Sequence, residues 1–183
     1  MAKINLPHLR SSEAGVNMYE PIVGSQFMLY LVPPAGVTGS VVLTEHVKSI
    51  TGMFDEPGGE GITEQVYQTS KRSYDSNEKN TTRNVDVIFT LNLNDANQNY
   101  VYNTMKQWSR LRYNPETGER GLKRNYTGAI VGIRYNRDGS IFWERTLHQC
   151  FVASNFPDLP ADYGQNDAQE LTVTFRSDWW QDA

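Results

Sequence analysis

The sequence predicts a mainly β protein, an antiparallel barrel or sandwich with one flanking amphipathic helix. Three observations carry this. Residues 84–94 alternate strictly, with Val85, Val87, Phe89, Leu91 and Leu93 on one face and Asp86, Ile88, Thr90 and Asn92 on the other, the period of two that defines a strand. Glu170 to Asp178 repeats it, setting Leu171, Val173 and Phe175 against Thr172, Thr174 and Arg176. Only residues 95–113 show convincing helical spacing: Val101, Met105, Trp108 and Leu111 make one apolar stripe, with Lys106 and Arg110 pointing away from it. Strands, one helix, then strands again give an antiparallel fold whose helix covers an opening.

Taken in order, residues 1–24 read as an arm and residues 25–183 as a single β domain. The arm has no sustained period and is punctuated by Pro7, Gly15, Pro21 and Gly24. Its apolar residues, Ile4, Leu6, Leu9, Met18 and Tyr19, leave two readings open, a frayed terminus or a tether to a neighbouring chain. Phe27 to Val32 is a continuous apolar run ending at Pro33-Pro34, as in a strand covered on both faces. Val41-Val42-Leu43 starts a second strand-like run towards Ile50. A Gly-rich loop, Pro57 to Gly61, follows. Residues 62–94 read as two long strands separated by a polar, charged loop from Ser70 to Thr81, and loops of that length in compact domains tend to be functional or disordered. Asn94 or Asp95 can cap the helix, and Asn114-Pro115-Glu116-Thr117-Gly118 stops it. Tyr126–Tyr135 and Ser140–Val152 read as a hairpin turning at Asp138-Gly139.

Composition narrows the function. With 183 residues, 38% of them hydrophobic and 21% charged, the chain can build one core and is not a disordered polyelectrolyte. No run of about 18 apolar residues exists to cross a membrane as a helix, and Met1 to Pro7 lacks the apolar core of a signal peptide. A single cysteine forms no internal disulfide and suits a reducing compartment. A net charge of −4 argues against a protein built mainly to grip nucleic acid.

The residues that could carry chemistry do not converge. His8, His46 and His148 are far apart and none belongs to a metal-ligand pair. By strand parity His148 and Cys150 share a face, but neighbours on one face stand roughly 7 Å apart, too far for a thiolate–imidazole pair; a buried structural cysteine is expected. Asp158, Asp162, Asp167 and Glu170 could do acid–base work or hold calcium, but solvated loop acids are the favoured reading. Gly58-Gly59-Glu60-Gly61 lacks the Lys-Ser/Thr of a phosphate loop, and Glu60 would repel phosphate. Asn136-Arg137-Asp138-Gly139 is explained by a hairpin turn. Charge separates by region: Lys106, Arg110, Arg112, Arg120, Lys123, Arg124, Arg134 and Arg137 fall close together, while Glu45, Asp55, Glu56, Glu60 and Glu64 face only Lys48. Solvated faces, an acidic protein partner and a nucleic-acid strip all fit that pattern.

The order of these features resembles the tail tube proteins of contractile-tailed bacteriophages, related to the tube proteins of type VI secretion and other contractile injection systems. The resemblance spans residues 17–180. Its carriers are the early strand Phe27 to Val32 after an arm, the hairpin insertion Ile62 to Asn94, the helix with Tyr100, Met105, Trp108 and Leu111 before the strand pair Tyr126 to Val152, and the closing block. That block runs from Phe151-Val152-Ala153-Ser154-Asn155-Phe156-Pro157-Asp158-Leu159 through a polar loop to Ala168–Phe175. The Gly-rich segment at Gly58 and the final Trp179-Trp180 depart from the pattern.

The resemblance implies a structural subunit with no catalysis and no cofactor. Six copies would close into a ring, and rings would stack into a hollow conduit through which DNA passes without specific binding. Sheath, baseplate and tape-measure proteins would be its partners and a virion tail, assembled in the host cytoplasm, its location. On this view Thr90, Asn92, Thr172 and Thr174 line the lumen, where fixed cations would stall phosphates. Lys106, Arg110, Lys123 and Arg124 form an outer basic face. Lys71, Arg72, Asp75, Glu78 and Lys79 contact the adjacent ring. Exposed strand edges fit the same picture, because cyclic assembly supplies each edge with a partner. The alternatives are a baseplate or tail-terminator protein of the same fold, a nucleic-acid-binding β-barrel using the basic face with Tyr126 and Trp108, and a small enzyme using Asp158, Asp162 or Glu170.

Overall fold

The computed structural model describes residues 24–37, 40–55, 62–67, 70–75, 81–91, 100–136, 138–153, 156, 159 and 168–183. The elements run β1 (Phe27–Val32), α1 (Ser40–Glu45), β2 (Val47–Thr51), β3 (Ile62–Tyr67), β4 (Ser70–Asp75), β5 (Arg83–Thr90), α2 (Tyr100–Arg112), α3 (Lys123–Tyr126), β6 (Gly128–Tyr135), β7 (Ile141–Val152), β8 (Glu170–Ser177) and β9 (Trp179–Asp182). Residues 1–23 of the expected arm lie outside the described residues, as does the cap of α2.

The fold is mainly antiparallel β, as expected, and sandwich-like. The main sheet runs β1-β6-β7-β8-β5-β2, with β9 added to β7. Strand β7 is the corner. Its residues from Ile141 to Leu147 pair with β6, Arg145 to His148 pair with β9 on the other side, and its last residues, Phe151 and Val152, pair with β8. One long strand thereby belongs to two layers, β1-β6-β7-β9 and β7-β8-β5-β2.

Alternation fills the space between them. Val85, Val87 and Phe89 of β5 sit opposite Phe175, Val173 and Leu171 of β8, and all six are buried. Leu29, Leu31, Ile130 and Leu147 come from the other layer. Helix α2 closes the core. Val101, Met105 and Trp108 are buried on its inner stripe, and the Trp108 ring meets Phe175 edge-on at 5.2 Å between centroids. Its indole Nε1 donates to the Tyr126 carbonyl at 2.9 Å, so the one polar atom of the largest buried side chain is satisfied. A Cβ at Gly128 would lie 2.2 Å from the Val32 carbonyl and 2.9 Å from the Trp108 ring, so glycine is what lets β6 start beneath the helix.

Four expectations are corrected. Val41-Val42-Leu43 does not extend as a strand; residues 40–45 make the helical turn α1, which places Leu43 fully inside, so packing overrides β propensity. The polar segment after Ile62–Tyr67 is not all loop, because Ser70–Asp75 pairs back on it in register from Ile62↔Asp75 to Tyr67↔Ser70. Helix α2 is not alone, since α1 packs on β1 and α3 packs on α2. Finally, β1 is covered on one face only: Leu29 and Leu31 are buried, whereas Met28, Tyr30 and Val32 are 40%, 44% and 50% exposed.

Candidate functional site

The chemistry-bearing residues stay dispersed or become structural. A register shift between Gly128 and Ile130 and a left-handed backbone at Gln149, φ 54°, break the alternation of β7, as a bulge does. Leu147 and Cys150 both turn inward as a result. His148 does not share the Cys150 face, contrary to the parity expectation, and it stacks on Trp179 at 3.8 Å. Cys150 donates to the Leu147 carbonyl, and burial pushes its thiol up to about 12, which keeps it un-ionised at neutral pH. Glu170 is paired with Lys48; Asp158, Asp162 and Asp167 lie outside the described residues. Asp138 accepts from the Ser140 hydroxyl and backbone N–H, bonds that lower its pKa and tie down the hairpin turn. Among the described residues no group of His, Cys, Asp and Glu could hold a metal ion.

Surfaces that could assemble are better defined. Among the described residues β1 pairs only with β6, and β2 only with β5. The sheet is therefore not closed. Its two end strands face a common hollow of about 600 Å³ lined by Phe27, Met28 and Leu29 from β1 and by Val47, Lys48 and Ile50 from β2. Beside this seam the exposed alternates of β1 stand opposite Ile133, Val131 and Ala129 of β6, which are half-buried. The result is an apolar sheet face. Strands β3 and β4 form a two-stranded sheet of their own, an arrangement that is marginal in water without further cover.

The outer face of β5 and β8 has the opposite character. Asp86 stands against Thr174, Ile88 against Thr172, and Thr90 against Glu170, and Thr174 Oγ1 donates to Asp86 at 2.6 Å. Thr90, Thr172 and Thr174 thus share one polar face; Asn92 lies outside the described residues. Of the expected ring-contact residues, Lys71, Arg72 and Asp75 fall on β4, and Glu78 and Lys79 lie outside the described residues. Of the expected basic face, Arg110 is paired with Glu116 at 2.6 Å, Lys123 is paired with Asp178, and Lys106 sits over the Tyr102 ring. Arg124 is exposed on α3.

One buried group was missed in the sequence. Arg145, fully buried on β7, donates through Nε and Nη2 to the Asp182 carboxylate at 2.5 and 2.9 Å, and through Nη1 to the carbonyls of Met53 and Asp55. It lies between the rings of Trp143 and Trp180, 4.6 and 4.1 Å from their centroids. Arg83 also approaches Trp180 and bonds Asp55. The closing Trp179-Trp180 is accordingly part of strand β9, clamped to β7. A terminal Asp and two tryptophans near a strand Arg were the available signal.

No model of a known protein family matches the chain, and no curated protein sequence matches it. Solved structures do. The chain is similar to the tube-terminating cap of the anti-feeding prophage, with TM-score 0.63, 13% identity, and 94% of this chain and 97% of that chain covered. It is similar to the sheath/tube terminator of the PVC extracellular contractile injection system, with TM-score 0.61, 11% identity, and 91% and 99% covered. It is also similar to a chain of the PVC sheath–tube complex, with TM-score 0.58, 11% identity, and 91% and 93% covered. In each case nearly the whole of both chains superposes, and the likeness is one of fold.

Proposed function

We propose that this chain is a structural subunit of a contractile tail or injection apparatus, a component of its inner tube, and not an enzyme. The observation that carries the reading is the open seam. Among the described residues the outer edges of β1 and β2 have no partner strand and the apolar β1 face is uncovered, and a neighbouring copy placed against them would satisfy both demands. The fold likeness over nearly the full length of the cap, terminator and sheath–tube-complex chains supports it. Six copies would form a ring with the polar β5–β8 face towards the lumen, where Thr90, Thr172 and Thr174 let DNA slide, and the β3–β4 hairpin would reach the adjacent ring. Sheath, baseplate and tape-measure proteins are the partners of this reading, and a phage tail its setting.

A second reading has its own support: the chain ends the tube instead of building it. The two cap and terminator chains match at higher TM-score than the sheath–tube chain. Negative-stain microscopy of purified protein separates the readings. Rings that elongate into tubes with concentration indicate the tube subunit. Rings that never stack indicate the terminator. A monomer at every concentration overturns both.

A further inference from the structure

Residues 106–124 hold six cations and two acids, a local excess of four positive charges in a chain whose total is −4. The structure neutralises part of this set through Glu116 and Asp178. Between α2 and α3 the chain makes a tight loop whose ends meet at the bridge Tyr113↔Arg120. Asn114 N–H donates to the Glu119 carbonyl at 3.0 Å, Gly118 N–H to Asn114 at 2.8 Å, and Gly121 N–H to Arg112 at 3.1 Å. Gly121 packs so closely on α2 that a Cβ there would lie 2.0 Å from the Leu111 carbonyl. The loop is thus fixed to the helix end, and binding through it costs little ordering entropy.

On this rigid mount Tyr113 and Leu122 are 45% and 60% exposed. Arg120 lies 5.9 Å from the Tyr113 ring centroid. Two hollows, of about 790 and 440 Å³, share Arg120 and Gly121 in their walls. Among the described residues neither Arg120 nor Arg124 has an acid against it. An exposed Tyr and Leu beside unpaired Arg is the composition of a protein-binding hot spot. A nucleic-acid strip fits poorly, because Glu116 and Glu119 interrupt the cations and Glu116 and Asp178 already occupy Arg110 and Lys123.

We infer that the 113–124 loop is a docking site for a protein segment that sets carboxylates around one apolar side chain. The carboxylates meet Arg120 and Arg124, and the apolar group covers Leu122 and Tyr113. This does not depend on the tube reading, since a monomer with no assembly function would still present the loop.

The test is fluorescence anisotropy of the full chain with short synthetic peptides rich in Asp and Glu, carrying a central Leu, Phe or Trp, or Ser as control. A single-stranded and a duplex oligonucleotide are run in parallel at about 150 mM salt. The Leu- or aromatic-centred peptides should bind about tenfold tighter than the Ser controls, and Arg120→Glu and Leu122→Ser should each weaken them about tenfold. Arg176→Glu, an equal charge change on the exposed outer side of β8, should leave them unchanged; all three positions are exposed, and circular dichroism checks that each variant is folded. Equal binding of Ser and apolar peptides, no peptide binding below about 1 mM, or an oligonucleotide binding as tightly and losing it in Arg120→Glu would each overturn the inference.

Discussion

Replacing Asp182 by Asn should loosen the C-terminal strand and destabilise the protein by about 2 kcal/mol. Removing one partner of a buried ion pair costs about 3–5 kcal/mol, because the other charge is left in low dielectric. Arg145 is fully buried, so the upper end would hold if Asp182 were buried too. The Asp182 side chain keeps 35% of its surface exposed, and solvent screening reduces the figure. Arg145 also retains the Met53 and Asp55 carbonyls and two tryptophan rings, which lowers the cost again. The assay is urea unfolding of wild type and Asp182→Asn across pH. The Arg145 guanidinium holds the Asp182 pKa below the usual carboxylate value. The sign follows: a carboxyl with a depressed folded pKa stabilises above its unfolded pKa and loses that contribution as pH falls through the folded one. The gap between wild type and variant should stay constant above about pH 5 and narrow below about pH 4. A gap under about 0.5 kcal/mol at neutral pH, or one that widens in acid, would refute the role given to the pair.

Trp108→Ala should cost about 3–5 kcal/mol in chemical denaturation, since it opens a cavity under α2 and leaves the Tyr126 carbonyl without its donor; a loss under about 1 kcal/mol would show an exposed ring. Cys150 should resist alkylation at about pH 8 in native protein and react at once in urea, because the thiol is buried and its pKa raised, whereas rapid native labelling would contradict the packing of β7. Tyr30→Asp, on the exposed face of β1, should leave the subunit folded by circular dichroism and abolish self-association in sedimentation; normal assembly of that variant would move the subunit contact elsewhere.

Where one face of a strand meets the core, residue chemistry was readable. The alternation of Val85, Val87 and Phe89, and of Leu171, Val173 and Phe175, marked β5 and β8 and their polar outer face. The four-three-three spacing of Val101, Met105, Trp108 and Leu111 marked α2. Strict alternation failed where the backbone left the regular strand, since a bulge at Gln149 shifts every residue of β7 beyond it by one face. The continuous run Phe27 to Val32 misled for another reason. Its pattern records the apolar surface the strand presents and says nothing of whether the cover comes from the same chain. The Arg145–Asp182 pair joins residues 37 apart in sequence, and no local pattern announces a contact of that range. The basic segment was visible as composition, but which of its cations were already paired depended on packing that brings Asp178 to Lys123.

Amide hydrogen exchange, compared between dilute and concentrated protein, addresses the open seam directly. If other copies complete the sheet, exchange across residues 27–32 and 47–51 should slow by at least about tenfold on assembly while the paired core strands β5 and β8 stay unchanged. Assembly that leaves both edge strands exchanging at the dilute-protein rate would contradict the account.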